Sequence, residues 1–150
     1  MLSQRAKYAI RALLMLADCP DGKLVFIGEI AARENLPVKF LSAILLDLRN
    51  HGLLESRRGK SGGYRLARSA TQISCGEVIR LVDGSLAPLP CASETQFRRC
   101  DDCKDPETCS VRWLMLQVRN ATASVLDNCT LAQVLSHRRA GSEFIPTFEI

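Results

Sequence analysis

The stretch PVKFLSAILLDLRNHG, Pro37 to Gly52, followed by LLESRRGKSGGYRLA, Leu53 to Ala67, decides the fold. Leu41, Ile44, Leu45 and Leu48 recur at helical spacing and predict one buried stripe. Pro37 suits a first helical position, where an N–H would have no partner in any case. Gly52 suits the position just past a helix end. The helix is therefore expected from about Pro37 to Asn50. Beyond it, Leu53–Arg58 and Tyr64–Ala67 read as two short strands. The segment Gly59-Lys60-Ser61-Gly62-Gly63 puts three glycines in five residues between them, which permits a tight reversal with positive φ.

Upstream, Ala6, Ala9, Ile10, Leu13, Leu14 and Ala17 predict a helix from Leu2 or Ser3 to Asp18. Cys19-Pro20-Asp21-Gly22 stops it. A short helix over Ile27–Glu34 turns Ile30 and Ala31 inward, and Asn35-Leu36-Pro37 breaks it. Two helices joined by a tight turn and followed by a glycine-tipped hairpin make a winged helix-turn-helix. Its recognition helix buries one side and leaves the other for the major groove of DNA. That free side carries Lys39, Phe40, Ser42, Ala43 and Asp47. Lys39 and Ser42 lie in the first turns, from which base edges are reached. Phe40 either meets a thymine methyl group or sugar, or packs under the wing. The hairpin carries Arg57, Arg58, Lys60 and Arg65, which suit phosphates or a minor groove, with Arg58 the leading candidate.

The net charge of +4 says little, but its distribution says more. Val38 to Arg68 holds seven Lys or Arg against two acids, whereas Cys91 to Cys109 holds three bases against five acids. A local basic block suits a phosphate backbone, and a solvated charged face is the bland alternative.

Downstream, a helix is expected over Cys75–Asp83, opened by a Ser74/Glu77 capping box. Residues 84–109 are irregular and hold four cysteines and three of the six prolines. A long helix from Ser110 to Asn128 repeats Val111, Leu114, Val118, Ala121 and Val125 at spacings of three and four. Such a seam suits a partner helix, the alternative being its own domain. A Thr130/Gln133 capping box starts a short helix to about Ser136, and the tail has no clear period. The expected organisation is mainly α with a small β-hairpin wing. Residues 1–83 form the DNA-binding domain, 84–109 a cysteine-rich sensor loop, 110–136 a dimerisation helix with a short following helix, and 137–150 a tail.

At 47% hydrophobic and 24% charged residues, the composition is that of an ordinary globular protein. No apolar run is long enough for a bilayer. Ala9–Ala17 is closely flanked by charge and reads as a core helix rather than a signal peptide, so a cytoplasmic location without membrane association is expected. Seven cysteines, Cys19, Cys75, Cys91, Cys100, Cys103, Cys109 and Cys129, are many for 150 residues. In a reducing compartment they point to metal binding or redox chemistry. Cys19, Cys75 and Cys129 read as small buried hydrophobes. No phosphate-binding glycine loop, His-Glu-x-x-His or nucleophile elbow is present, so no enzyme is expected. A small redox carrier would leave the winged helix without a task.

Over nearly its whole length, Tyr8-Ala9 to Thr130-Leu131, the chain resembles the Rrf2 (BadM-type) family of bacterial regulators. The specific stretches are Leu48-Arg49 to Gly52-Leu53, Arg58-Gly59 to Gly62-Gly63-Tyr64, and Gly76-Glu77-Val78-Ile79, with a cysteine loop before a long helix. The resemblance implies a homodimer built on that helix, with the loop near the partner subunit. It implies a repressor-type regulator on an inverted-repeat operator of double-stranded DNA, with half-sites ~10 bp apart. In such relatives, positions matching Lys39, Ser42 and Arg58 contact DNA, while other recognition-helix residues differ here.

Cluster-binding relatives carry three loop cysteines, matched by Cys91, Cys103 and Cys109. Their fourth ligand is a histidine or an aspartate at positions occupied here by Arg112 and Lys7, and neither cation ligates. Cys100, which the resemblance does not supply, is then the natural fourth ligand, making an all-thiolate site; a water or a group from the partner chain is the alternative. An iron–sulfur cluster, [2Fe–2S] or [4Fe–4S], that senses redox state, nitric oxide or iron supply is the leading expectation. The alternatives are a thiol/disulfide switch, structural zinc, and a metal-free regulator controlled by a partner protein.

Overall fold

A computed structural model describes residues 2–141. In chain order the elements are α1 (Gln4–Ala17), α2 (Ile27–Glu34), α3 (Val38–Asn50), β1 (Leu54–Arg57), β2 (Gly63–Leu66), α4 (Cys75–Asp83), α5 (Ser110–Asp127) and α6 (Leu131–Arg139). Short 3-10 turns cover Ala70–Gln72 and Pro90–Ala92. The last nine residues, in the expected tail, lie outside the described residues.

The winged-helix half forms as its sequence pattern dictates. Leu41, Ile44, Leu45 and Leu48 of α3 are buried, together with Leu13 of α1, Ile30 of α2 and Val78 of α4. Asn35 ends α2 in the left-handed region at φ 50°, a conformation that asparagine tolerates better than most residues. Pro37 caps α3 rather than opening it.

The hairpin pairs Leu54 with Leu66, Glu55 with Arg65, Ser56 with Tyr64 and Arg57 with Gly63. A third partner joins it. Val25 and Tyr64 exchange backbone hydrogen bonds of 2.9 and 2.8 Å, so the wing is stitched to the segment before α2. Gly63 permits this approach: its φ is +144°, and a Cβ there would lie 2.5 Å from the Val25 carbonyl oxygen. At Gly62 a Cβ would lie 2.2 Å from the Arg57 carbonyl oxygen.

Two expectations about helix ends need correction. At α4, Ser74 accepts the Glu77 N–H at 3.1 Å, but the Glu77 carboxylate pairs with Arg68 at 2.5 Å, so only half of the capping box forms. The complete box is at Thr130 and Gln133. The helix that it opens runs to Arg139, three residues beyond the expected Ser136. Arg138 pairs with Glu34 at 3.8 Å and Arg139 with Asp18 at 2.5 Å, and basic residues suit the last turn of a helix. α6 also returns Leu131 and Leu135 to the core beside α1. No helix among the described residues is long and apolar enough to cross a membrane.

Candidate DNA-binding face and cysteine loop

The outer side of α3 is open. Lys39, Phe40, Ser42 and Ala43 are all exposed in its first two turns. Ser42 donates to the Lys39 carbonyl at 3.2 Å, which leaves its oxygen available as an acceptor. Phe40 is 65% exposed and does not pack under the wing. It borders an apolar cavity of about 620 Å³ with Tyr8, Pro37 and Ile44. Asp47, the acid of this face, is paired with Arg5 of α1. The pairing offsets the one charge on the helix that would repel phosphate.

The wing extends this face, joined to it where Arg49 donates to the Ser56 hydroxyl at 3.4 Å. Arg57, Arg58 and Lys60 are exposed, and within the described residues none has an ion pair, nor has Lys39. Arg65 differs: its guanidinium donates to Glu55 at 2.9 and 2.7 Å across the hairpin. The paired Arg65 is thus less free to meet another anion than its three unpaired neighbours.

The four loop cysteines are gathered by α5. Cys100, Cys103 and Cys109 line one cavity of about 440 Å³, together with Asp102, Lys104 and Arg112. Cys91 is buried in the Pro90–Ala92 turn, and its thiol neighbours that of Cys100. This contact, then burial and the charge of Cys91, push the Cys100 thiol up from its ordinary value. Cys109 caps α5, and its sulfur accepts the Arg112 N–H at 3.4 Å. The positive end of the helix dipole therefore faces a loop sulfur.

Arg112 matters structurally, which the sequence did not disclose. Its guanidinium donates to the carbonyls of Cys91 at 2.9 Å and Pro106 at 3.3 Å, and lies 5.8 Å from the Phe97 ring centroid. One turn pair further, Arg119 donates to the Ala92 carbonyl at 3.0 Å and pairs with Glu94 at 3.2 Å. Arg99 holds the other limb by donating to the carbonyls of Cys103 and Lys104. The seven-residue spacing of Arg112 and Arg119 on one side of α5 was the available signal.

The donor chemistry suits a soft metal or a cluster, since four sulfurs sit on or beside one cavity. Among the described residues no three His, Cys, Asp or Glu side chains already stand at metal-holding spacing. A metal or cluster held there would require the loop to draw its sulfurs inward. The other side of α5 is bare. Val111, Trp113, Leu114, Val118 and Val125 are exposed, Val125 at 69%, and no α5 residue is buried. The expected seam does not pack against its own domain.

A helix-turn-helix with an open recognition helix, a basic wing and an unpartnered apolar helix defines a winged-helix DNA-binding regulator. The chain belongs to the Rrf2 family, whose model, described as an iron-dependent transcriptional regulator, matches residues 2–137. It is 41% identical over 139 residues to a putative HTH-type transcriptional regulator, rrf2-like, of Rhodobacter capsulatus, covering 91% of this chain and 93% of that one. Among solved structures it is similar to CymR, the global cysteine regulator of B. subtilis. That likeness has a TM-score of 0.75 and 28% identity, and covers 91% of this chain and 97% of that one. T. potens IscR gives a TM-score of 0.74 and 26% identity, covering 97% and 93%. The chain is a transcriptional regulator of this family, not an enzyme.

Proposed function

We propose that this chain is a homodimeric repressor that grips an inverted-repeat operator with Lys39, Phe40, Ser42, Arg57, Arg58 and Lys60, Arg65 contributing less. Its grip is set by an iron–sulfur cluster held by Cys91, Cys100, Cys103 and Cys109. The observation that carries the sensing half is the shared cavity: three thiols line it and the fourth touches Cys100. The description of the family as iron-dependent supports the same metal. The DNA-binding half rests on exposed, unpaired bases along α3 and the wing.

A bound cluster would supply a one-electron redox couple. The chain's own residues do the coupling. Arg112 and Arg119 fasten the loop to α5, and α5 carries the seam for the second subunit. Drawing Cys91 and Cys109 inward would shift the first turn of α5, which Cys109 caps and Arg112 ties to the Cys91 carbonyl. A shift there alters the spacing of two recognition helices across the dimer, and a two-fold operator tolerates little change in spacing. The raised Cys100 thiol must lose its proton to ligate, so loading is weaker at lower pH.

A second reading has its own observation. The Cys91–Cys100 thiol contact suits a disulfide switch that needs no metal. Anaerobic purification with iron, sulfide and zinc assays separates the readings. Iron with acid-labile sulfide supports the cluster. One zinc per chain supports a structural site. Metal-free protein with an oxidant-dependent Cys91–Cys100 bond supports the thiol switch, and metal-free protein without it leaves control by a partner protein.

A further inference from the structure

Two of the three cysteines outside the loop meet. Cys75 opens α4, and Cys129 lies in the link between α5 and α6. The segments around them form an isolated antiparallel bridge with Ser74 opposite Thr130. The Cys75 N–H donates to the Cys129 carbonyl at 2.8 Å, and the Leu131 N–H to the Ile73 carbonyl at 3.0 Å. In this pattern Cys75 and Cys129 are the next opposite pair, and their thiols interact with each other. Opposite residues of an antiparallel pair have Cα atoms roughly 4.5–5.5 Å apart, within the span of about 4.4–6.8 Å that a disulfide bridges. Cys75 is buried, at 5% exposure, whereas Cys129 reaches the surface.

The pair sits at a tight joint. Next to Cys75, Gly76 has no room for a side chain: a Cβ would lie 2.0 Å from Asp127 Oδ1. Asp127 in turn takes both guanidinium nitrogens of Arg80. This is where the last helix of the winged half meets the end of the seam helix.

We propose that Cys75 and Cys129 form a reversible disulfide, a thiol switch separate from the cysteine loop, that locks α4 to the α5–α6 corner. The oxidant is a hydroperoxide. The Cys129 sulfur attacks its terminal oxygen, which becomes the hydroxyl of a sulfenic acid as the O–O bond breaks and water or an alcohol leaves. The Cys75 sulfur then displaces that hydroxyl as water and the S–S bond forms. Two thiols lose two electrons and two protons, and the peroxide gains both. A low-molecular-weight thiol reverses the bond by exchange.

The order of events follows from the two environments. Burial, then the charge of Cys129 and the interaction with its thiol, push the Cys75 thiol up to about 11. Cys75 therefore stays protonated at neutral pH and lies out of reach of the oxidant, so it enters second. The closed ring spans residues 75–129 and includes the whole cysteine loop and α5. It restrains the swing of α5 against the winged half.

The test needs no DNA. Full-length reduced protein is treated with hydrogen peroxide, its remaining thiols are alkylated, and it is digested with trypsin without reduction. The expected product is peptide Ser69–Arg80 joined to Asn120–Arg138, at the summed mass less two hydrogens. It should hold most of both cysteines and be lost on treatment with dithiothreitol. It should also form in a variant whose four loop cysteines are alanine, and not in Cys129→Ser. Recovery of Cys75 as a free thiol at peroxide doses that oxidise Cys129 or the loop would overturn the proposal. So would a linked peptide that requires the loop cysteines.

Discussion

Arg80 forks onto Asp127, Nη1 to Oδ1 at 2.5 Å and Nη2 to Oδ2 at 2.8 Å, and so ties α4 to the last turn of α5. The hydrogen bonds from Arg80 hold the Asp127 carboxyl below its ordinary value near 3.8. The folded value is thus lower than the unfolded one. The fork stabilises the fold above about pH 4, and its contribution is lost as pH falls through the folded value. The pair is largely exposed, so the effect is less than about 1 kcal/mol. Urea unfolding of wild type and Asp127→Asn should differ at pH 7, and the difference should shrink progressively as the pH is taken below about 4.

Gly76 lets that fork form. Alanine there adds helix propensity of about 1 kcal/mol but forces the Asp127 carboxylate aside. We expect Gly76→Ala to destabilise by about 1–2 kcal/mol through overpacking and the broken fork. In an Asp127→Ala background the same change should become neutral or stabilising, which a double-mutant cycle by urea denaturation reads directly.

The wing depends on backbone contact. Gly63→Ala sets a Cβ against Val25, whose nearest backbone atoms would be 2.5 to 2.9 Å away, and strains a φ of +144°. A loss of about 2–3 kcal/mol is expected by thermal or urea unfolding. Arg58→Ala should behave in the opposite manner. Stability stays within about 0.5 kcal/mol, while operator binding weakens by about 1–3 kcal/mol if Arg58 reads the groove. If it binds only phosphate, the slope of log affinity against log salt falls by about one instead.

The bare seam of α5 predicts oligomeric state. Val118→Asp places a charge in the middle of the apolar row that Leu114 and Val125 share. The variant should scatter light as a monomer and keep its helical circular dichroism, since no α5 residue is part of the core. Operator affinity should fall about 100-fold or more, because a palindromic site is then bound one half at a time. A variant that remains dimeric would place the interface elsewhere.

The winged half was legible in the sequence because its pattern is local. The stripe of α3, the glycines of the hairpin and the break at Asn35-Leu36-Pro37 each act within a few residues. What escaped was non-local. Val25 joins the wing through backbone atoms alone, which no side-chain pattern announces. The half-formed box at Ser74 was misjudged because Glu77 has a competing cation, Arg68, nine residues away. Cys75 and Cys129 each looked like an isolated buried thiol, and only the folding of α6 back onto α1 puts them side by side. At the loop, the crowding of four cysteines into residues 91–109 is plain in the sequence, whereas the arginines that tie the loop down are ordinary surface residues in sequence terms.

The most direct test of control at the loop is operator affinity measured on anaerobically purified protein before and after iron removal, with iron and sulfide counted per chain. We predict bound iron and sulfide, and an affinity that changes several-fold on their removal. The triple variant Cys91→Ala, Cys103→Ala, Cys109→Ala should stay at the iron-free value under both conditions. An iron-free protein, or one whose operator affinity is the same with and without iron and in the triple variant, would contradict it.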